Sequence, residues 1–145
     1  MTPRTLDPAT LREKLRLVEE LLDALALVGG VTAERLTTEV LTRLAVERIL
    51  TQAVDLVVSV CGHVVSAEGR QVPATYREAI RGAATTGLID DSLATSLGAA
   101  VGLRNVLVHE YARVDLARVA GAVPVAASDL AEFVRQVARW LSERS

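Results

Sequence analysis

The chain has 145 residues, half of them hydrophobic but only 3% aromatic, and a formal net charge of −2. That length fits one domain spanning 1–145, large enough to bury about 68–70% of its unfolded surface in a core of its own. The charge excludes a global basic field that would hold nucleic acid, and the single cysteine, Cys61, excludes an internal disulfide and any multi-cysteine metal site.

The apolar residues are mostly Leu, Val and Ala, which favours helices packed on helices. Asp7-Pro8-Ala9-Thr10 predicts a helix start, with Asp7 as the cap and Pro8 in the first turn. Leu11, Leu15, Val18, Leu21, Leu22 and Leu25 recur at helical spacing until Gly29-Gly30, while Arg12, Glu13, Arg16, Glu19, Glu20 and Asp23 form a solvated face. A second start at Thr32-Ala33-Glu34-Arg35 opens a pattern carried by Leu36, Val40, Leu44, Ile49, Val54 and Val57. Nothing interrupts it before Gly62 or Gly69, so one long helix of about 30 residues is expected as the spine of the fold. Its stretch from Val54 to Val65 is apolar nearly all round, which predicts burial by more than one neighbour and makes a second subunit plausible. Cys61 and His63 lie in that stretch and read as packed structural residues. Asp55 is out of place there and reads as the partner of an Arg, outside any catalytic site.

Ser66 to Pro73 predicts a loop, and Thr75 to about Thr85 a short helix with Arg77 and Arg81 on one face. Gly87-Leu88-Ile89-Asp90-Asp91 closes that helix and caps the next, expected from about Ser92 to Val108. On it Ala99, Leu103, Val106 and Leu107 form the stripe predicted to face the core. Val101 and Val108 fall among Arg104, Asn105 and His109 on a second, mixed face suited to a subunit interface containing a polar cleft. After Tyr111, Val114-Asp115 and Gly121 to Ala127 predict a connector, and Ser128-Asp129 starts a last helix from Leu130 to Leu141. The fold class expected is all-α, an antiparallel up-and-down bundle with one long central helix, dimerising. The first residues do not read as a signal peptide, and no unbroken apolar run reaches the roughly 18 residues of a membrane span, so a cytoplasmic protein without membrane contact is expected. Of the sixteen Lys and Arg residues only Lys14 is lysine. Arg suits bidentate phosphate contact, although genome base composition accounts for such a bias more simply.

The concentration of Arg104, Asn105, His109 and Tyr111 within eight positions is the feature that points to chemistry. Arg104, four residues, His109, one residue, Tyr111 resembles the R-x4-H-x-Y motif of HepT-like toxins, which belong to the HEPN ribonucleases, and Asn105 fits the polar residue that follows the Arg. Ala45-Val46-Glu47-Arg48-Ile49-Leu50 resembles the family's second helix. Val72-Pro73-Ala74-Thr75-Tyr76-Arg77-Glu78 and Gly87-Leu88-Ile89 then follow in the family's order, so the resemblance covers roughly Leu11 to Leu141. It implies a homodimeric endoribonuclease toxin with two motifs meeting across a cleft. It also implies a MntA-type nucleotidyltransferase antitoxin that blocks the cleft by adding AMP to Tyr111.

The residue types suit that reaction. Cleavage of RNA through its 2′-hydroxyl needs a proton taken, a proton given and charge balanced on the phosphorane. His109 can transfer protons near neutrality, Arg104 supplies permanent charge, and Asn105 can hold either group without titrating. No step calls for a cofactor or a metal. One ideal helix places Arg104 and His109 about 140° apart, so a single copy converges poorly on one phosphate. Read without the family, the same residues fit a plain arrangement: Arg104 paired with Glu110 or another carboxylate, His109 and Tyr111 capping a helix end. Two further possibilities stay open, a non-catalytic substrate-binding or docking module partnering a nucleotidyltransferase, and a helical interaction protein using its Val-rich face.

Overall fold

The computed structural model describes residues 5–109 and 114–144. Six helices account for nearly all of them: α1 (Pro8–Val28), α2 (Ala33–Thr38), α3 (Val40–Ala67), α4 (Tyr76–Thr86), α5 (Asp91–His109) and α6 (Leu116–Ser142). The expected antiparallel bundle with a long central helix is what forms. α3 is that helix, and it packs against all five others.

Short polar signals set most boundaries. Asp7 caps α1 by accepting from the Thr10 N–H at 3.3 Å and the Thr10 hydroxyl at 2.6 Å, and Pro8 occupies the first turn, where no N–H is needed. Thr75 caps α4 through the Glu78 N–H at 3.1 Å, and Glu78 reaches back to the Ala74 N–H at 2.9 Å. α4 ends at Gly87, whose φ of +85° is left-handed backbone that favours glycine. Asp90 caps α5 through the Leu93 N–H and also takes the Gln136 side-chain amide, both at 2.8 Å, tying the start of α5 to α6. His63 has a structural contact: its Nε2 accepts from the Asp7 N–H at 3.0 Å, joining the α1 cap to α3.

Two boundaries depart from the sequence reading. The spine is not one helix from Thr32, because the chain breaks at Glu39, where φ is −109° and ψ is 89°. The hydroxyls of Thr37 and Thr38 bond back to the Ala33 and Glu34 carbonyls, and the Glu39 carboxylate accepts from Arg35 Nε and from the Thr42 hydroxyl. Side chains that compete for local partners weaken a helix at that point. The predicted connector from Gly121 to Ala127 is instead helical, part of an α6 that runs through Pro124. An interior Pro costs about 3 kcal/mol. Burying one Val, Leu or Phe contributes roughly 1.5–3 kcal/mol, and this helix lays Val119, Val123, Ala126, Leu130, Phe133, Val137 and Trp140 into the core. The apolar face outweighs the Pro.

The core falls into two adjoining clusters. The larger joins α1, α3, α4, α5 and α6 around Val57, Val60, Val64, Leu97 and Phe133. The smaller joins Leu25, Leu36, Val46, Leu50, Leu103, Leu107, Val119 and Val123. Val57, Val60, Cys61, Val64 and Val65 are all buried within the single chain, so this face of the apolar end of α3 is covered by its own neighbours. Burial pushes the Cys61 thiol up to about 12, consistent with an inert packed residue. By composition α3 is also long and apolar enough to cross a membrane, with mean hydropathy 1.6 over its best 18 residues. Half of that window is buried, as befits the core helix of a bundle. Apolar exposure lies instead at the opposite end, at Val40 (52%), Leu41 (83%) and Leu44 (49%).

Candidate active site

α5 carries the motif and is buried on more sides than its predicted stripe allows. Its core residues are Leu93, Ala94, Leu97, Val101, Leu103 and Leu107, whereas Ala99 faces solvent. Val101, expected on the mixed face, is 1% exposed. The helix is wedged against α3, α4 and α6, so its apolar residues occupy much of its circumference and periodicity alone could not fix the register. Val108 keeps its expected exposure.

Arg104 is held in a cluster built from three helices. Its Nε donates to Asp55 Oδ1 on α3 at 3.0 Å, and the Tyr76 hydroxyl at the start of α4 donates to the same oxygen at 2.9 Å. The guanidinium carbon lies 4.7 Å from the centroid of the Tyr76 ring, within cation–π range. The Arg104 side chain is only 17% exposed and that of Asp55 41%. Partial burial, then the bond to Asp55, raise the Tyr76 phenol above its usual range, so it remains a donor. Arg104 is thus fixed through Nε and its flat face, leaving the Nη edge for other partners. The one bond that edge makes among the described residues is Nη1 to Asn105 Oδ1, at 3.4 Å.

Asn105 and His109 are exposed, and His109 is the last residue of α5. Of the four predicted site residues, two, Arg104 and Asn105, are in direct contact. His109 makes no hydrogen bond to either among the described residues, and Tyr111 lies outside them. Asp55, expected as the partner of an Arg but left outside any site, pairs with Arg104 of the motif, and Tyr76 was missed as part of this constellation. Asp55 is the sole Asp, Glu, Lys or Arg between Arg48 and Glu68, and that isolation in an apolar helix was the available signal. Nothing local marked Tyr76 as its companion.

No curated protein matches the chain. Among solved structures, a tri-AMPylated Shewanella oneidensis HEPN toxin in complex with its MNT antitoxin superposes with a TM-score of 0.80 at 20% identity, covering 89% of this chain and 96% of that one. A toxin–antitoxin structure with AMP-PNP gives 0.79 at 20% identity, covering 88% and 96%. The Bacillus subtilis cytosolic protein YutE, of unknown function, gives 0.81 at 16% identity, covering 96% and 93%. These likenesses are of fold. The description "Ribonuclease HepT-like" belongs to the family profile that matches residues 11–137, a span holding every helix of the bundle in whole or large part and the complete Arg104–His109 segment, so the chain belongs to the HepT-like ribonuclease family.

Proposed function

We propose that the protein is the endoribonuclease toxin of a toxin–antitoxin pair, cleaving RNA without a metal in a cleft between two copies of the chain. The observation that carries this reading is the anchoring of Arg104. A permanent cation held by Asp55 and Tyr76, with its Nη edge beside exposed Asn105, is a preorganised site for charge that develops on a phosphorane. In this reading His109 takes the proton of the 2′-hydroxyl or gives one to the leaving 5′-oxygen, and Asn105 steadies the groups around the phosphate.

Two copies are required because Arg104 and His109 diverge by about 140° around one helix. A motif from each subunit can then supply complementary groups to one phosphate. Exposed Val108 on α5 and Val40, Leu41 and Leu44 on α3 flank the smaller core cluster and supply apolar area for such a contact. The proposed antidote is a MntA-like nucleotidyltransferase that transfers AMP to Tyr111, adding bulk and negative charge beside Arg104.

The test is incubation of the pure protein with tRNA and mRNA in EDTA. Cleavage by the wild type and none by His109→Ala, with unchanged thermal stability, is the expected result. His109 is exposed, so its loss should move stability by no more than about 0.5 kcal/mol. Wild-type rates in the variant would remove His109 from the mechanism. Binding of RNA without cleavage by the wild type would favour the docking-module reading.

A further inference from the structure

An open groove of about 890 Å³ lies between the α3–α4 loop, α4 and α5, lined in part by Arg70, Arg77 and Arg81. None of these three has a carboxylate partner within ion-pair distance among the described residues, which also holds for Arg12, Arg48, Arg118 and Arg139. The acidic residue on the lining is Glu78, whose carboxylate is taken up at the α4 cap by the Ala74 N–H. The groove is therefore locally basic in a protein of net charge −2.

Arg77 is seated in a particular way. Its guanidinium rests on α5, with Nη1 3.3 Å from where a Cβ of Gly98 would lie and Nη2 3.4 Å from that of Gly102. Two glycines four apart give the planar group a flat bed on the helix, and a Cβ at Gly98 would press on it by a few tenths of an ångström. Gly98, Gly102, Asn105 and His109 fall within about 60° of rotation on α5, and Gly98 and His109 are about 16 Å apart along its axis. The bed of Arg77 is thus the far end of the stripe that finishes at His109. The preceding residue, Tyr76, stacks on Arg104, so the first turn of α4 serves both places.

We propose that this groove, centred on Arg77 over Gly98 and Gly102, binds the phosphodiester backbone of the RNA strand beside the cleavage motif. The inference rests on the ribonuclease reading above. Three arginines without carboxylate partners among the described residues, spread along an open groove, fit a strand with successive phosphates better than one compact anion, and Arg meets phosphate with two parallel N–H donors. Gln71 and Thr95 on the same lining offer neutral polar contacts. The contacts proposed are to the backbone, which carries no sequence information directly.

The test measures affinity for a fluorescein-labelled single-stranded RNA by anisotropy across a salt series, together with cleavage kinetics. Arg77→Gln and Arg81→Gln should each weaken binding about 5- to 30-fold and lower the salt slope by about 0.7 for each phosphate no longer neutralised. KM should rise while kcat stays within about twofold. Arg12→Gln, on the far α1 surface, should leave affinity unchanged. Wild-type affinity and salt slope in both Arg variants, or an equal loss in Arg12→Gln, would overturn the groove proposal while leaving RNA cleavage intact. RNA binding that the Arg77 and Arg81 changes weaken, in a wild-type protein that does not cleave, would sustain the groove and sink the ribonuclease reading instead.

Discussion

Removing Asp55 is the sharpest test of how Arg104 is held. In Asp55→Ala, Arg104 loses its 3.0 Å bond and the Tyr76 hydroxyl loses its 2.9 Å acceptor, leaving a guanidinium only 17% exposed without a carboxylate. Hydrogen bonds to charged groups contribute roughly 1.5–3 kcal/mol each. Asp55 is 41% exposed, however, and water screens such a pair towards the 0–1 kcal/mol of surface ion pairs. The two bonds together should then contribute about 1.5–2.5 kcal/mol. With an unfolding entropy of about 2.1 cal/mol/K per residue, a chain of 145 residues should lose about 5–8 °C in Tm. The expected effect on RNA cleavage is larger in proportion: a loosened Arg104 should lower kcat about 10- to 100-fold through misplacement, less than the 10²–10³-fold expected on deleting a charge-stabilising donor outright. Asp55→Asn retains a neutral acceptor and should fall between. Calorimetry and single-turnover cleavage of the four proteins, wild type, Asp55→Ala, Asp55→Asn and Arg104→Ala, provide the comparison. An Asp55→Ala enzyme that cleaves at the wild-type rate while Arg104→Ala is inactive would refute the anchoring argument.

Tyr111→Phe should retain RNA cleavage yet gain no AMP increment by mass spectrometry after incubation with a MntA-like partner and ATP; an increment on the variant, or none on the wild type, would place the modification elsewhere or deny it. Gly82→Ala would put a Cβ 2.8 Å from Val65 Cγ2, where α3 and α4 meet, so overpacking should cost about 1–3 kcal/mol; unchanged Tm would mean that the helices separate freely there. Acid should destabilise the fold through its carboxylates. Thr10 hydrogen bonds lower Asp7 from its ordinary 3.8, the Thr42 hydroxyl lowers Glu39 from 4.5, and Gln136 followed by Arg135 lowers Glu132 from 4.5. With folded values below unfolded ones, the unfolded chain takes up protons first. This contribution is complete above about pH 4.5 and is lost as pH falls through the depressed values, which Tm measured from pH 6 to 2.5 will show as a decline.

Local signals made most of this bundle legible. Asp7, Thr32, Thr75 and Asp90 mark helix starts that need only the next three residues to be recognised, and the bonds they make are those such residues make anywhere. The break at Glu39 was written in Thr37, Thr38 and Thr42, but an apolar period running across it masked a weakness in the backbone. Pro124 misled in the other direction: its cost is local and visible, whereas the face that outweighs it extends from Val119 to Trp140 and gains only against the rest of the core. The same distinction runs through the candidate site. Arg104, Asn105 and His109 stand together on one stretch, but the carboxylate that fixes Arg104 is 49 residues away, and such a pairing is decided by how α3 and α5 pack.

The two core clusters meet along a seam that cuts α1 after Val18, α3 between Leu50 and Ala53, α5 between Val101 and Leu103, and α6 between Ala126 and Leu130. Domains with a divided core open in parts, each part having its own free energy of local unfolding. The smaller part holds the end of α5 that carries Arg104 to His109, along with the segment of α6 whose hydrogen bonding Pro124 interrupts. Its amides should exchange with solvent faster than those around Val57 and Phe133. The Asp55–Arg104 pair crosses the seam, with the carboxylate among residues of the larger part and the guanidinium among those of the smaller. Every excursion of the smaller part therefore breaks that pair, and a ligand that grips Arg104 in its anchored position would slow exchange across the whole of that end of the bundle.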